Sequence, residues 1–500
     1  MIGRDFNGPC VFETELKFQI PPEQRDAVRR ALATSTARQV RLRAKYLDTP
    51  DRRLAAAGLA LRLRQEDRRW LQTLKGRGDG LLERLEHEVV VPGSVRTPAV
   101  LDLARHAGTP VCDALMRALG PDGAAALQPI FETHVRRTVR VVRSGGALVE
   151  VALDLGEIRA GDSAVPICEI EFELQRGPLV GLIDLARRWA GRHALWLDVR
   201  TKAERGDRLA RGVTHGAPET ARASPLLATQ SADAALRAIV ATCLAHILPN
   251  AADVMAGVGG PEHLHQARVG LRRLRTALRL YGDWSTEVDP AWSQALADLF
   301  GRLGAARDRD ALAASLLPAL RSAGAPMAEL PSVDEGDEPA QALRGASALW
   351  LALMAFTRGS AQAGGEASVS MAERARAPLK RLHRSLADDA ARFMTLDDVS
   401  RHRARKRLKR LRYGVEFAAP LFGGKAVKGY LSRLKPAQEA LGELNDLVVA
   451  ESAFRAQVEG DSRAWFALGW IAAQRLRLLQ QAAQALRKLS KAPKFWRDPA

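Results

Sequence analysis

The chain has 500 residues and carries 75 Lys plus Arg against 57 Asp plus Glu, a formal net charge of +18 weighted towards residues 211–500; it is long enough for about two to four domains, and the excess calls for an anionic partner: polyphosphate, nucleic acid or an anionic membrane surface. Its four scattered cysteines argue against a disulfide framework or a zinc site, and no signal-like segment opens it. The apolar run 348–356 is under half of the ~20 residues a membrane helix needs, so a soluble, cytoplasmic protein without a membrane partner is expected.

Val11-Phe12-Glu13-Thr14-Glu15-Leu16-Lys17-Phe18 reads as a strand with Glu13, Glu15 and Lys17 on one face and Phe12, Leu16 and Phe18 on the other. A solvated face gives the same string, so the case rests on what recurs. A helix from Pro21 to about Ala33 follows, then short alternating runs. Arg41–Asp48 ends at a Thr49-Pro50 turn, Leu59–Arg64 puts Arg62 and Arg64 together, and Trp70–Lys75 does the same for Thr73 and Lys75. Glu83–Val91 sets Arg84, Glu86 and Glu88 on one side. After a mostly helical insertion at 98–119, strands resume at Phe131–Val142, Ala147–Leu155 and Ile167–Leu174, the last with Glu169, Glu171 and Glu173 alternating. Leu179–Trp189 is an amphipathic helix. Eight short strands with helical insertions predict an antiparallel sheet that curls or closes, in an α+β chain. A face lined by both signs suits a polyanion held with a metal: Arg and Lys grip phosphate, while carboxylates hold Mg²⁺ or Mn²⁺.

Glu13-Thr14-Glu15-Leu16-Lys17 resembles the ExExK signature of CYTH domains, the triphosphate tunnel metalloenzymes. The resemblance continues through Tyr46-Leu47-Asp48-Thr49, Leu61–Arg64, Thr73–Gly76, Arg84–Glu88, Ile167–Glu173 and Thr201–Gly206, over about Val11 to Leu209. It implies an eight-stranded tunnel barrel that binds and cleaves a triphosphate with a divalent metal. Carried over, Glu13 and Glu15 would bind metal, helped by Glu169 and Glu171; Glu150 and Asp154, two pleats apart, are expected as lumen acids for a second metal or a water contact. Arg62, Arg64, Lys75, Arg137 and Lys202 hold phosphate oxygens, with Arg136 competing with Arg137 because strand parity is ambiguous there. Lys17 and Tyr46 position or activate the attacking water.

Arg211–Pro225 reads as a linker between a domain at 1–210 and a helical one at 226–500. An internal repeat follows: His265 to Arg275 aligns with His402 to Arg412, and Leu303–Asp308 aligns with Leu441–Asp446. His265, Arg268, Arg272, Arg275 and Arg279 form one helical stripe, and His402, Arg405, Lys409 and Arg412 repeat it. Lys406 and Arg410, with Lys380 and His383 on the preceding helix, are secondary candidates; Asp308, Asn445 and Asp446 read as caps or buttresses. Such unbalanced stripes call for an anion, and the histidines fit phosphate donors better than metal ligands.

This half resembles a CHAD domain, over about Leu226 to Leu489. The family implies a two-fold duplicated all-α bundle whose basic surface binds inorganic polyphosphate. The combined expectation is a cytoplasmic inorganic triphosphatase, a monomer or homodimer associated with polyphosphate granules. Alternatives are a non-catalytic polyphosphate-targeting protein and a cyclase acting on ATP. Nucleic acid is disfavoured, since aromatic residues are 5% of the chain and stacking platforms need them near the basic stripes.

Overall fold

The computed structural model describes residues 11–78, 80–304, 316–326, 337–359 and 369–497. The chain divides into two compact units, one of Met1–Glu219, Leu248–Leu264 and Ala340–Ala355, the other of Thr220–Ile247, His265–Pro339 and Phe356–Ala500.

The first unit contains β1 (Val11–Gln19), β2 (Arg38–Asp48), β3 (Ala60–Glu66), β4 (Arg69–Arg77), β5 (Glu83–Val91), β6 (Gln128–Ser144), β7 (Ala147–Ala160), β8 (Ser163–Arg176) and β9 (Trp196–Leu197). They run in the order β5-β4-β3-β2-β6-β7-β8-β1-β9, and a β5–β1 pairing closes the first eight into a barrel. Every described pairing is antiparallel. The expected closed sheet is therefore present. β6, β7 and β8 are longer than the alternation suggested, and β7 runs on through Gly156. Gly156 marks a close approach: a Cβ there would lie 1.9 Å from the His134 carbonyl oxygen, so only glycine lets β6 and β7 run on together.

Alternation sorts the residues between two faces. Leu16, Phe18, Ile170 and Phe172 face outwards and are buried beneath α4 (Leu179–His193), with Phe18 edge-on to Phe172 at 5.7 Å and Phe172 to Trp189 at 6.0 Å. Leu54 of α2 (Arg53–Ala57) and Val111, Leu115 and Leu119 of α3 (Pro110–Leu119) cover Leu61 and Leu74 in the same way. Each fully buried side chain of this size contributes about 1.5–3 kcal/mol. The inner face has an apolar end, built by Val40, Leu42, Tyr46, Phe131, Val135, Ile158 and Ile167. Against it packs α5 (Lys202–Ala210), whose Gly206 meets the Phe131 ring so closely that a Cβ would fall 2.2 Å from it.

The second unit is built of helices. Those used below are α6 (Ala232–Met255), α7 (Pro261–Tyr281), α8 (Ala291–Arg302), α9 (Met371–Ala391), α10 (Asp398–Ala418) and α11 (Gly424–Arg455), of which the end of α6 from Leu248 and the start of α7 to Leu264 are counted with the first unit. Tyr281 at the end of α7 donates to the Gly414 carbonyl of α10 at 3.1 Å. Arg273 of α7 pairs with Glu416 and lies over the Phe417 ring at 4.8 Å. The two copies of the basic motif thus sit on directly packed helices. α6 is long and apolar enough to cross a membrane by length and composition, but 67% of its most apolar window is buried within the protein.

Candidate active site

The inner barrel face carries two charged clusters, on β1, β3, β4 and β5 and on β6, β7, β8 and α5. In the first, Lys75 Nζ lies 3.0 Å from Glu13 Oε2 and also pairs with Glu86. Arg62 reaches Glu86 and Glu88 at 3.9 Å and donates to the Tyr46 hydroxyl at 3.2 Å. Arg64 and the Thr73 hydroxyl both donate to Glu88, at 3.0 and 2.7 Å. Arg84 holds Glu15 at 3.1 Å. Burial alone would lower the Lys75 pKa, but Glu13, Glu86 and Glu15 outweigh it and raise it. Glu86 behaves oppositely: burial first, then the adjacent Glu13, push its pKa well up against the pull of Lys75.

In the second cluster Arg137 grips Asp154 with two bonds of 2.7 Å and reaches Glu171 at 2.5 Å. Arg137 is therefore the inward residue of its pair, and Arg136 is exposed. Lys202 Nζ stands 2.5 Å from Glu169, 2.7 Å from Glu171 and 2.8 Å from Asp154. Its position follows from the local sequence. The Thr201 side chain accepts from the Glu204 amide at 2.9 Å, and Glu204 accepts from the Thr201 amide at 2.7 Å. This capping box starts α5 sharply and puts Lys202 in its first turn. Burial would raise the Glu171 pKa, but Lys202, Arg137 and Lys17 hold it well below the usual carboxylate range. Asp154 is likewise lowered by Arg137 and Lys202 against burial.

Asp154, Glu169 and Glu171 each offer an oxygen within 4.8 Å of the others. Three hard carboxylate donors around a point already taking an ammonium charge fit Mg²⁺ or Mn²⁺. The five acids expected to act together are split. Among the described residues only these three form such a group, while Glu13 and Glu15 lie with Lys75 and Arg84. Lys17, 8% exposed, is registered opposite Glu171. Tyr46 stacks on Phe131 at 4.4 Å. Burial would raise its pKa, yet Arg62, Lys202 and Lys75 bring it below its ordinary value. Asp48 of the same motif is a turn residue, accepting from the amides of Thr49, Leu54 and Ala55.

Sequence reasoning gave no role to Arg205, which donates to Glu169 at 2.9 Å, or to Gln19, which donates to Glu169 at 3.1 Å. The Thr201–Glu204 spacing is a capping-box signal that could have disclosed α5, and with it Arg205. Nothing local distinguishes Gln19.

On the helical unit the two stripes approach each other. Burial and then the neighbouring Arg279, Arg275 and Arg407 lower the Arg410 pKa, and burial with Arg279 lowers that of Arg275. Arg272 and Arg275 lie over the Phe300 ring, at 5.9 and 5.4 Å. Arg279, Lys380 and Lys406 are exposed, and His265, Arg405 and Lys409 are half-buried. His402 Nδ1 lies 2.8 Å from Asn445 Oδ1, so Asn445 is a buttress; Asp308 lies outside the described residues. Burial and then Lys406, Arg405 and Lys409 lower the His402 pKa although its bond to Asn445 opposes them. Arg412 is engaged by Glu416 at 2.7 Å and Gln438 at 2.9 Å. Two expected surface residues are corrected. Arg268 is buried and donates to the carbonyls of Leu303 and Gly304 at 2.8 and 2.9 Å, satisfying the chain just past the end of α8. His383 is buried against Tyr430, 2.9 Å from its hydroxyl, and the Trp496 ring; its place on α9 turns it into an aromatic core.

The CYTH domain family model matches residues 12–206, and the CHAD domain model matches 238–455. An inorganic triphosphatase of Haemophilus influenzae is 34% identical over 203 residues, which are 39% of this chain and 54% of that protein; the chain thus spans about half the length of this curated relative. The CHAD domain of the plant Ricinus communis is similar to 57% of this chain and 99% of its own, at 33% identity and TM-score 0.46. A putative adenylyl cyclase of Hippeastrum, described as having a dominant triphosphatase activity, is similar to 40% of this chain and 96% of its own, at 16% identity and TM-score 0.29.

Proposed function

We propose that this chain, whose residues 12–206 match the CYTH domain model and 238–455 the CHAD domain model, hydrolyses inorganic triphosphate, or a related short triphosphate, in the barrel and binds longer polyphosphate on the helical unit. The observation that carries this reading is the matching of opposite charges inside a closed sheet. Arg62, Arg64 and Lys75 face Glu13, Glu86 and Glu88, while Arg137, Lys202 and Arg205 face Asp154, Glu169 and Glu171. A bare polyanion entering such an interior would have to tear cations from their carboxylates. One that arrives with divalent cations lets both signs exchange partners: the cation takes the acids, and the freed Arg and Lys take phosphate oxygens.

Asp154, Glu169 and Glu171 would hold Mg²⁺ or Mn²⁺, with Glu13 and Glu15 as further acids on β1, the strand paired with β8. Bound there, the metal supplies charge neutralisation for the phosphoanhydride. Lys202 and Arg137 turn to the phosphate chain from one wall, and Arg62, Arg64 and Lys75 from the other. Lys17 and the Tyr46 hydroxyl, kept at the inner face by packing, orient the water that attacks the terminal phosphorus and releases orthophosphate and diphosphate. Phosphoryl transfer of this kind needs positioning and electrostatic stabilisation rather than a covalent nucleophile. The Arg272, Arg275, Arg279, Arg405, Lys409 and Arg410 surface gives polyphosphate a place where its charge relieves mutual repulsion. A phosphate-release panel of triphosphate, ATP, thiamine triphosphate and long polyphosphate with Mg²⁺ and Mn²⁺ tests the assignment. Release from triphosphate supports it; cyclic AMP from ATP without such release overturns it.

A further inference from the structure

Glu169, one of the three acids that fit a divalent cation, is held from behind by a chain of buried polar groups. The Gln19 amide nitrogen donates to Glu169 Oε2 at 3.1 Å and to Asp198 Oδ2 at 2.9 Å. One NH₂ group spent on two carboxylates fixes both. Asp198 is 1% exposed and locked in turn by Arg200, whose Nε and Nη2 donate to its two oxygens at 2.9 and 2.8 Å. The same carboxylate accepts the Arg200 backbone amide at 2.9 Å. Arg200 has one more arm: its Nη1 points to Asp253 Oδ1 at 3.4 Å.

Asp253, on α6 and in the same compact unit as the barrel, is 2% exposed. Its Oδ1 also accepts from Arg208 of α5 at 2.7 Å, and its Oδ2 lies 3.5 Å from His263 Nε2. His263 Nδ1 accepts from the Gly260 amide, so Nε2 carries the hydrogen that points to Asp253 and to the Gly216 carbonyl. One carboxylate therefore holds both Arg200, which leads to Glu169 through Asp198 and Gln19, and α5, the helix that delivers Lys202 and Arg205 to the same acid.

We propose that Asp253 is a positioning residue for the cation site. It keeps Glu169 Oε2 tied back through Arg200, Asp198 and Gln19, so that Oε1 faces the point shared with Asp154 and Glu171, and it seats α5 through Arg208. This inference rests on the metal reading given above. A partner that orients a ligating carboxylate without touching the metal commonly contributes about 10–100-fold to metal affinity.

The test is Mn²⁺ binding to the full chain, followed as the loss of the free-ion EPR signal, for Asp253→Ala, Asp253→Asn, Asp198→Asn and Glu169→Gln. Ser347→Ala, which removes a hydrogen bond to the Leu195 carbonyl in the same unit, is the packing control. Asp253→Ala should weaken Mn²⁺ binding by about tenfold, with Ser347→Ala neutral. Combining Asp253→Ala with Asp198→Asn should cost less than the sum of the two single effects, since both cut the Arg200 arm and only Asp253→Ala also releases Arg208. A folded Asp253→Ala with unchanged Mn²⁺ affinity, while Glu169→Gln is weakened, overturns the proposal and leaves the metal reading standing. If Glu169→Gln binds Mn²⁺ normally, the metal reading fails and this inference with it. Should Asp253→Ala not fold, Asp253→Asn decides: weaker Mn²⁺ binding supports the relay, and wild-type binding overturns it.

Discussion

Lys202 Nζ lies 2.5 Å from Glu169 Oε1, where a bound cation would meet the same oxygen. The ammonium is thus a resident counter-charge for the acids. Lys202→Met should destabilise the metal-free protein by about 3 kcal/mol, the range expected when one partner of a buried ion pair is removed. Mn²⁺ should restore part of that loss. Denaturant unfolding with and without Mn²⁺ checks both, and a variant as stable as wild type in metal-free buffer refutes the role.

Arg62 touches the Tyr46 hydroxyl and two carboxylates at once. Arg62→Ala is expected to lower kcat for triphosphate by about 10²–10³-fold, the usual cost of losing one preorganised charge donor. Steady-state phosphate release at saturating metal measures it.

The depressed pKa of Glu171 has a definite sign in stability. A carboxylate held below its ordinary value of 4.5 contributes stability that is fully present above that value. The contribution is lost as pH falls towards the folded pKa. The stability gap between wild type and Glu171→Gln should therefore be widest near neutrality and close under acid. Urea unfolding across that range reads it, and a gap that widens on acidification contradicts the assignment.

Gly206 leaves no room for a side chain against Phe131. Gly206→Ala should cost about 1–3 kcal/mol by overpacking, and should lower triphosphate turnover because α5 carries Lys202. Thermal unfolding and turnover, measured together, should fall together.

Arg275, Arg279 and Arg410 repel one another on the helical unit. Reversing all three to Glu should abolish most polyphosphate binding, with the largest fold-loss at low ionic strength and a smaller one at high ionic strength, where screening already weakens the wild type. Triphosphate hydrolysis should stay within about twofold, since the substituted residues belong to the other compact unit. A titration at two salt concentrations, with a turnover assay alongside, separates the two activities.

Much of the barrel was legible because a half-buried strand must alternate. Glu13, Arg62, Lys75 and Glu171 all face inwards as their parity requires. The Arg136–Arg137 choice was not legible, since adjacent arginines give parity nothing to discriminate, and register with Asp154 decided it. The helical stripes showed which residues share a helix face but not what the face meets. Arg268 and His383 carry the same charge pattern as their neighbours, and only packing turned them inwards. Gln19, Asp198 and Asp253 lie far apart in the chain, so no local pattern could join them.

β1 shares one edge between two partners, meeting β5 at Val11–Thr14 and β9 at Phe18–Gln19, whereas β6 and β7 stay paired from Glu132 to Ser144. A hoop fastened by so short an overlap should breathe there first, and its amide protons should exchange soonest along that join. Glu13 lies on it, so the same fluctuation that briefly unzips the wall also loosens the grip on Lys75.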